Sequence, residues 1–238
     1  KESLDAGQNP KRCEDWSPRS ALYEMQRCHV ELKEYELAQG VIDDYLKSSE
    51  EDKDRLAITT AYEIRGNILR DTERYPEALE AYKESLNKGL NPEQCKNWSP
   101  RLALSGMQRC HVALKEYELA LKVIDEYLKS AEEDNDRLEI SLGYSMRGET
   151  LRMISNYKDA IVSFDRAIEL ELELALEFNI VDDELFKDQA ECQWFIGLIN
   201  EAKATINQFV SCTLKVEGAI HGVQSIAKFV HDVDNEMP

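Results

Sequence analysis

The chain repeats itself at a period of 82 residues, and no other feature limits its fold so severely. Written as two rows, Lys1-Glu2-Ser3-Leu4 falls over Lys83-Glu84-Ser85-Leu86, and Trp16-Ser17-Pro18-Arg19 over Trp98-Ser99-Pro100-Arg101. Met25-Gln26-Arg27-Cys28-His29-Val30 falls over Met107-Gln108-Arg109-Cys110-His111-Val112. Direct comparison finds 48 of the 82 pairs identical, without insertion or deletion. Self-similarity at a fixed period is the signature of a stacked array. A third row keeps the frame only in hydrophobic character: Tyr117 and Ala120 over Ile199 and Ala202, Ile124 over Ile206, Tyr127 over Phe209, Leu138 over Ile220. That is what a diverged unit near an end of an array looks like.

Each unit divides again. Tyr35, Tyr75, Tyr117 and Tyr157 each precede an alanine by three residues (Ala38, Ala78, Ala120, Ala160), at spacings that alternate 40 and 42. Within a module, apolar residues recur twice at helical spacing across a short polar turn. Ala21, Leu22, Met25, Cys28, His29 and Leu32 make one stripe, and Leu37, Ala38, Val41, Ile42, Tyr45 and Leu46 the next. The pattern predicts two antiparallel helices joined near residues 33–36. Ser17 suits an N-cap, Pro18 the first turn, and Trp16 a staple onto Ala21, with Trp98, Ser99 and Pro100 repeating the device. Expected core positions are Leu22, Met25, Ala38, Ile42, Tyr62, Gly66, Ala78, Tyr82 and their counterparts one period on.

Tyr62-x2-Arg65-Gly66-x2-Leu69 with Ala78-x3-Tyr82, and Tyr144-x2-Arg147-Gly148-x2-Leu151 with Ala160-x3-Phe164, resemble the signature of the tetratricopeptide repeat family. Looser versions begin at Leu22, Leu104 and Phe186, with Gln26, Gln108 and Ala190 at the Gly66 position. The resemblance implies an all-α fold, a right-handed α-solenoid of stacked antiparallel helix pairs. The modules of 40–42 residues are longer than the family's usual period of about 34. The expected organisation is residues 1–16 as the tail of a preceding repeat and loop, then five helix pairs over 17–212. These run about 17–53, 54–92, 99–135, 136–178 and 182–212, with 213–238 a terminal capping helix or half repeat. Lys1 to Pro10 match Lys83 to Pro92, which follow a helical run, so the chain is expected to begin inside a helix of a longer protein.

A formal charge of −18 argues against nucleic acid or anionic membrane as the main partner, since both attract a basic face. No stretch reaches the roughly 18 apolar residues of a membrane span. Six cysteines without close pairing fit reduced thiols in the cytoplasm or nucleus. Cys28, Cys110 and Cys192 share one frame position, where a thiol packs like a small apolar residue. They recur a helix pair apart, which is too far for one metal. His29 and His111 each follow a cysteine, but neighbouring side chains on a helix diverge, so a packed imidazole is expected rather than a nucleophile pair. The acidic runs Glu50 to Asp54 and Glu132 to Asp136 read as solvated turns that cap helices. No enzyme constellation, cofactor or metal site is expected.

In the family it resembles, the first helix of each module lines a concave groove. That resemblance turns inward Tyr23, Arg27, Glu63, Asn67, Arg70, Arg109, Arg152, Lys187, Trp194 and Phe195. Arginines at 27, 70, 109 and 152 would favour an acidic peptide, or else pair internally with Glu31, Glu63, Asp71 and Glu149; both readings stand at this point. The Lys and Asn set with which chaperone-binding members grip a terminal carboxylate is missing, with Tyr23, Arg27 and Ile64 at those places. The expected function is a non-catalytic scaffold for protein binding, taking an extended or helical segment of a partner in the groove. Two alternatives stay open: a structural spacer or homo-oligomeric self-assembly array, and an acidic surface that binds a basic segment.

Overall fold

The structure, a computed structural model, describes residues 18–89, 95, 98–178, 188–190, 192–193, 204, 205 and 208. The described secondary structure is all helical. The chain forms two compact units, Lys1–Glu116 and Tyr117–Pro238. The first holds α1 (Pro18–Glu31), α2 (Tyr35–Glu51), α3 (Arg55–Asp71), α4 (Tyr75–Gly89) and α5 (Arg101–Ala113). The second holds α6 (Tyr117–Glu133), α7 (Arg137–Met153) and α8 (Tyr157–Phe178). In the first unit each helix packs on its successor and α3 also reaches α5; in the second, α6 packs on α7 and α7 on α8.

Helices that follow one another this closely need very short reversals, and six residues provide them. Lys33, Lys53, Glu73, Lys115, Asn135 and Ser155 adopt φ between 52° and 60°, the left-handed conformation that terminates a helix. At the first reversal Lys33 N–H donates to Val30 (2.9 Å) and Glu34 N–H to His29 (2.8 Å), and the Glu34 carbonyl already accepts from Ala38 (3.0 Å). One residue therefore closes a Schellman motif and opens the next helix. The other five turns repeat the first two of these bonds. Asp54 and Asp136 cap α3 and α7 through their side chains, accepting from Ala57 (3.1 Å) and Glu139 (3.3 Å), as the acidic runs suggested.

The core of the first unit joins Ala38, Ile42, Tyr45 and Leu46 of α2 to Ala57, Ala61 and Ile68 of α3. Further along, the Tyr82 ring from α4 is fully buried against two glycines. A Cβ on Gly66 of α3 would lie 2.5 Å from this ring, and one on Gly106 of α5 only 2.2 Å. The glycines are needed because the ring occupies the space a side chain would take. Phe164 repeats the arrangement in the second unit, where a Cβ on Gly148 would meet it at 2.4 Å. Burying a ring of this size contributes about 1.5–3 kcal/mol.

Ala38, Ile42, Gly66, Ala78, Tyr82 and their counterparts Ala120, Ile124, Gly148, Ala160 and Phe164 are buried as expected, and so are Leu104 and Met107. Leu22, Met25 and Tyr62 are only partly buried, as is Tyr144, and Cys28 is exposed although Cys110 and Cys192 are buried. The difference is positional. Within the first unit α5 is covered by α3 and α4, whereas the packing of α1 runs to α2. The Trp98 ring lies against Gly89, where a Cβ would come within 2.4 Å. Ser99 Oγ accepts from the Arg101 N–H at 3.4 Å, with Pro100 at the N-cap position of α5. Trp16 and Ser17 lie outside the described residues.

Candidate functional site

Three of the predicted groove residues converge in the first unit. Tyr82 donates its hydroxyl hydrogen bond to Asn67 Oδ1 at 2.8 Å. Arg70 and Arg109 both act electrostatically on that same hydroxyl, so Asn67, Arg70 and Arg109 gather around the end of one buried ring. Burial pushes the Tyr82 hydroxyl well above the ordinary phenol range, and the two arginines only partly oppose this. Cys110, beside Arg70, is likewise pushed up by burial to about 11 and stays a thiol at neutral pH. Burial works against the charge on Arg70, but hydrogen bonds to Asp71 from Nε (3.1 Å) and Nη2 (2.8 Å) hold it above its usual range. Arg109 differs: it is exposed and makes no ion pair with a described carboxylate.

The remaining residues go elsewhere. Arg27 is exposed and pairs with Glu24 one turn earlier at 3.3 Å. Tyr23 packs on Tyr45, ring centroids 6.4 Å apart, and lines a cleft with Arg19, Asp54 and Ala57. Arg152, in the second unit, meets Asp188 at 3.4 Å. Lys187, Trp194 and Phe195 lie outside the described residues. The two readings of the arginines thus divide by residue, with Arg27, Arg70 and Arg152 paired to carboxylates. Asp71, one of the acids expected as partners, is the one that pairs with Arg70.

Glu63 is withdrawn from any surface, at 5% exposure. Its Oε1 accepts from Ser85 Oγ at 3.0 Å and from Trp98 Nε1 at 2.9 Å. Burial raises its pKa and these two bonds offset the rise in part. The family resemblance placed it in the groove, on the same first helix of a module as Asn67 and Arg70. The signal that separates it lies in the internal repeat: one period on, Glu63, Ser85 and Trp98 become Ser145, Ala167 and Ile180, so the three partners disappear together.

The histidines find a shared role that spacing did not reveal. His29 Nδ1 lies 2.7 Å from Glu34 Oε2, and His111 Nδ1 2.7 Å from Glu116 Oε2. Each pair ties the end of a helix to the reversal that follows it. Among the described residues no group of three or more His, Cys, Asp or Glu side chains is arranged to hold a metal ion. No described helix is long and apolar enough to cross a membrane.

No protein-family model matches the sequence, and no curated protein matches it. Solved structures do. BtubC from P. vanneervenii superposes with a TM-score of 0.74 at 15% identity, covering 92% of this chain and 89% of that one. The signal-transduction ATPase with a tetratricopeptide repeat sensor from Pyrococcus horikoshii gives 0.72 at 15% identity, over 98% of this chain and 36% of that one. YrrB, described as a TPR protein with an unusual peptide-binding site, gives 0.53 at 15% identity, over 93% and 97%. The fold of this chain is that of the tetratricopeptide repeat proteins.

Proposed function

We propose that the chain is a non-catalytic scaffold that holds a segment of a partner protein against the exposed face of α3 and α5, with Arg109 as its anchor for an acidic residue. The observation that carries this reading is the contrast between Arg109 and its neighbours. In a chain of charge −18, an exposed guanidinium without a described carboxylate partner stands beside Asn67 and the paired Arg70. Arginine offers a fork of donors matched to carboxylate geometry. The rigid Tyr82 ring beneath holds Asn67 in place, so the polar groups are ordered before a ligand arrives. YrrB, which shares the fold, is described as having a peptide-binding site.

Fluorescence anisotropy with acidic, neutral and basic peptides of equal length tests the proposal. Acidic peptides should bind best, weaken as salt rises, and bind Arg109→Ala roughly tenfold less tightly. Preference for basic peptides, or an Arg109→Ala variant that binds acidic ones unchanged, would refute it and point to the acidic surface instead.

A further inference from the structure

A second feature of the first unit runs against the chain's overall charge. Where α2 ends, α3 begins and α4 ends, a cleft of about 740 Å³ is lined by Glu50, Lys53, Asp54, Arg55, Ile58 and Lys88. Lys53, Arg55 and Lys88 make no ion pair with any described carboxylate. Asp54 is already engaged: it caps α3 at Ala57 and pairs with Arg19 at 2.7 Å. The Ala57 N–H is the chief cause that holds its carboxyl below the usual range. Among the described residues, three cations therefore face one cleft in which Glu50 is the one acid without an ion pair.

The internal repeat supplies the control. One period on, Lys53 becomes Asn135, Lys88 becomes Leu170, and Arg55 becomes Arg137, while Glu50, Asp54 and Ile58 persist as Glu132, Asp136 and Ile140. Arg137 is paired with Glu173 at 3.3 Å, and Leu170 is buried at 5% exposure. The same turn and the same cap form in the second unit without the two lysines. Folding therefore does not require Lys53 or Lys88, and self-repulsion among three neighbouring cations works against keeping them.

We propose that this cleft binds a small organic anion carrying two or more phosphate groups. Lysine and arginine are donors only, so the ligand must supply acceptors, and each phosphate presents three. The volume falls within the roughly 300–1,000 Å³ of small-molecule sites and exceeds what a bare phosphate fills. Ile58 offers an apolar wall for the organic part. An extended acidic peptide is the poorer fit, because it would have to pass the exposed Glu50, Glu51 and Asp52 at the rim. Of these three, Glu50 alone is among the described residues that line the cleft, so a compact anion meets fewer of them.

Calorimetric titration of the 238-residue chain with tripolyphosphate in low salt tests the site, with citrate as a tricarboxylate comparison. Tripolyphosphate should bind, and the Lys53→Asn/Arg55→Ala/Lys88→Ala variant should bind it at least about tenfold more weakly with unchanged helicity. Arg137→Ala, at the duplicate position, should leave binding untouched. Single Lys88→Ala keeps the test decisive if the triple variant fails to fold. The proposal is overturned if wild type does not bind tripolyphosphate, if neither cation variant weakens it, or if Arg137→Ala weakens it equally. Citrate binding as tight as tripolyphosphate would overturn the assignment to phosphate.

Discussion

Adding a single methyl group at Gly106 should destabilise the protein, whereas adding one at Gly40 should stabilise it. Both glycines sit inside helices, where alanine is intrinsically favoured by about 1 kcal/mol. At Gly40 nothing lies within 4 Å of the new Cβ, so the gain of about 0.5–1 kcal/mol should appear in full. The second copy of the repeat carries Lys122 at this position, which shows that the helix accepts a side chain there. At Gly106 the Cβ would lie 2.2 Å from Tyr82 Cζ and 2.6 Å from its hydroxyl oxygen. The ring is fully buried and is held from the other side by Gly66, so it cannot swing away. Overpacking of this kind costs about 1–3 kcal/mol, and displacing the hydroxyl from Asn67 adds about 1 kcal/mol. After the helix-propensity gain is subtracted, Gly106→Ala should lose about 1–3 kcal/mol, or a fall of roughly 2–4 °C in Tm per kcal/mol for a chain of this size. Urea and thermal melts followed by circular dichroism would measure both variants. Combining Gly106→Ala with Tyr82→Leu should recover part of the loss, because the narrower side chain frees the contested space. If Gly106→Ala proves as stable as Gly40→Ala, the ring does not wedge the helices and the account of Tyr82 is wrong.

Other outcomes follow from the same geometry. Burial raises the Glu63 pKa, so its contribution to stability is fully present below the unfolded carboxylate range and is lost as pH rises through the folded value. Glu63→Gln keeps an acceptor for Trp98 and Ser85 without the charge; it should match or exceed wild-type stability at neutral pH, and its advantage should shrink as urea melts are taken toward acid. A loss above about 1 kcal/mol at neutral pH would contradict this. Asp54 behaves with the opposite sign, since its depressed pKa gives stability that is present above the unfolded carboxylate range and lost as pH falls through the folded value. Asp54→Ala should cost about 1 kcal/mol near neutral pH and progressively less in acid, again by urea titration. Cys28 is exposed while Cys110 is buried with its pKa pushed up to about 11, so brief iodoacetamide treatment of the native protein should label Cys28 well ahead of Cys110 by mass mapping.

The helices, their pairing frame and much of the core could be read from residues alone. Periods of 3.6 and 82 leave few ways to bury Ala38, Ile42, Ala78 and Tyr82, and those positions are buried. Gly66 and Gly148 were legible as core positions because they fall at the glycine of the family signature that the chain resembles. The reversals were less legible. Nothing in a lysine or glutamate marks it for positive φ, and Lys33, Lys53, Glu73 and Lys115 adopt it because helices on both sides demand a three-residue turn.

What tertiary structure alone decided is which polar groups meet. Helical spacing put Glu63, Asn67 and Arg70 on one helix, but only packing sent Glu63 inward to Ser85 and Trp98 and left Asn67 and Arg70 around Tyr82. Likewise Lys53 and Arg55 stand two residues apart in the sequence but Lys88 lies in a separate segment, and the packing of α4 on α3 brought all three to one cleft. The reason is physical. Hydrophobic burial follows a periodicity that a single chain displays, whereas a polar side chain's partner is set by whichever element the burial happens to place beside it.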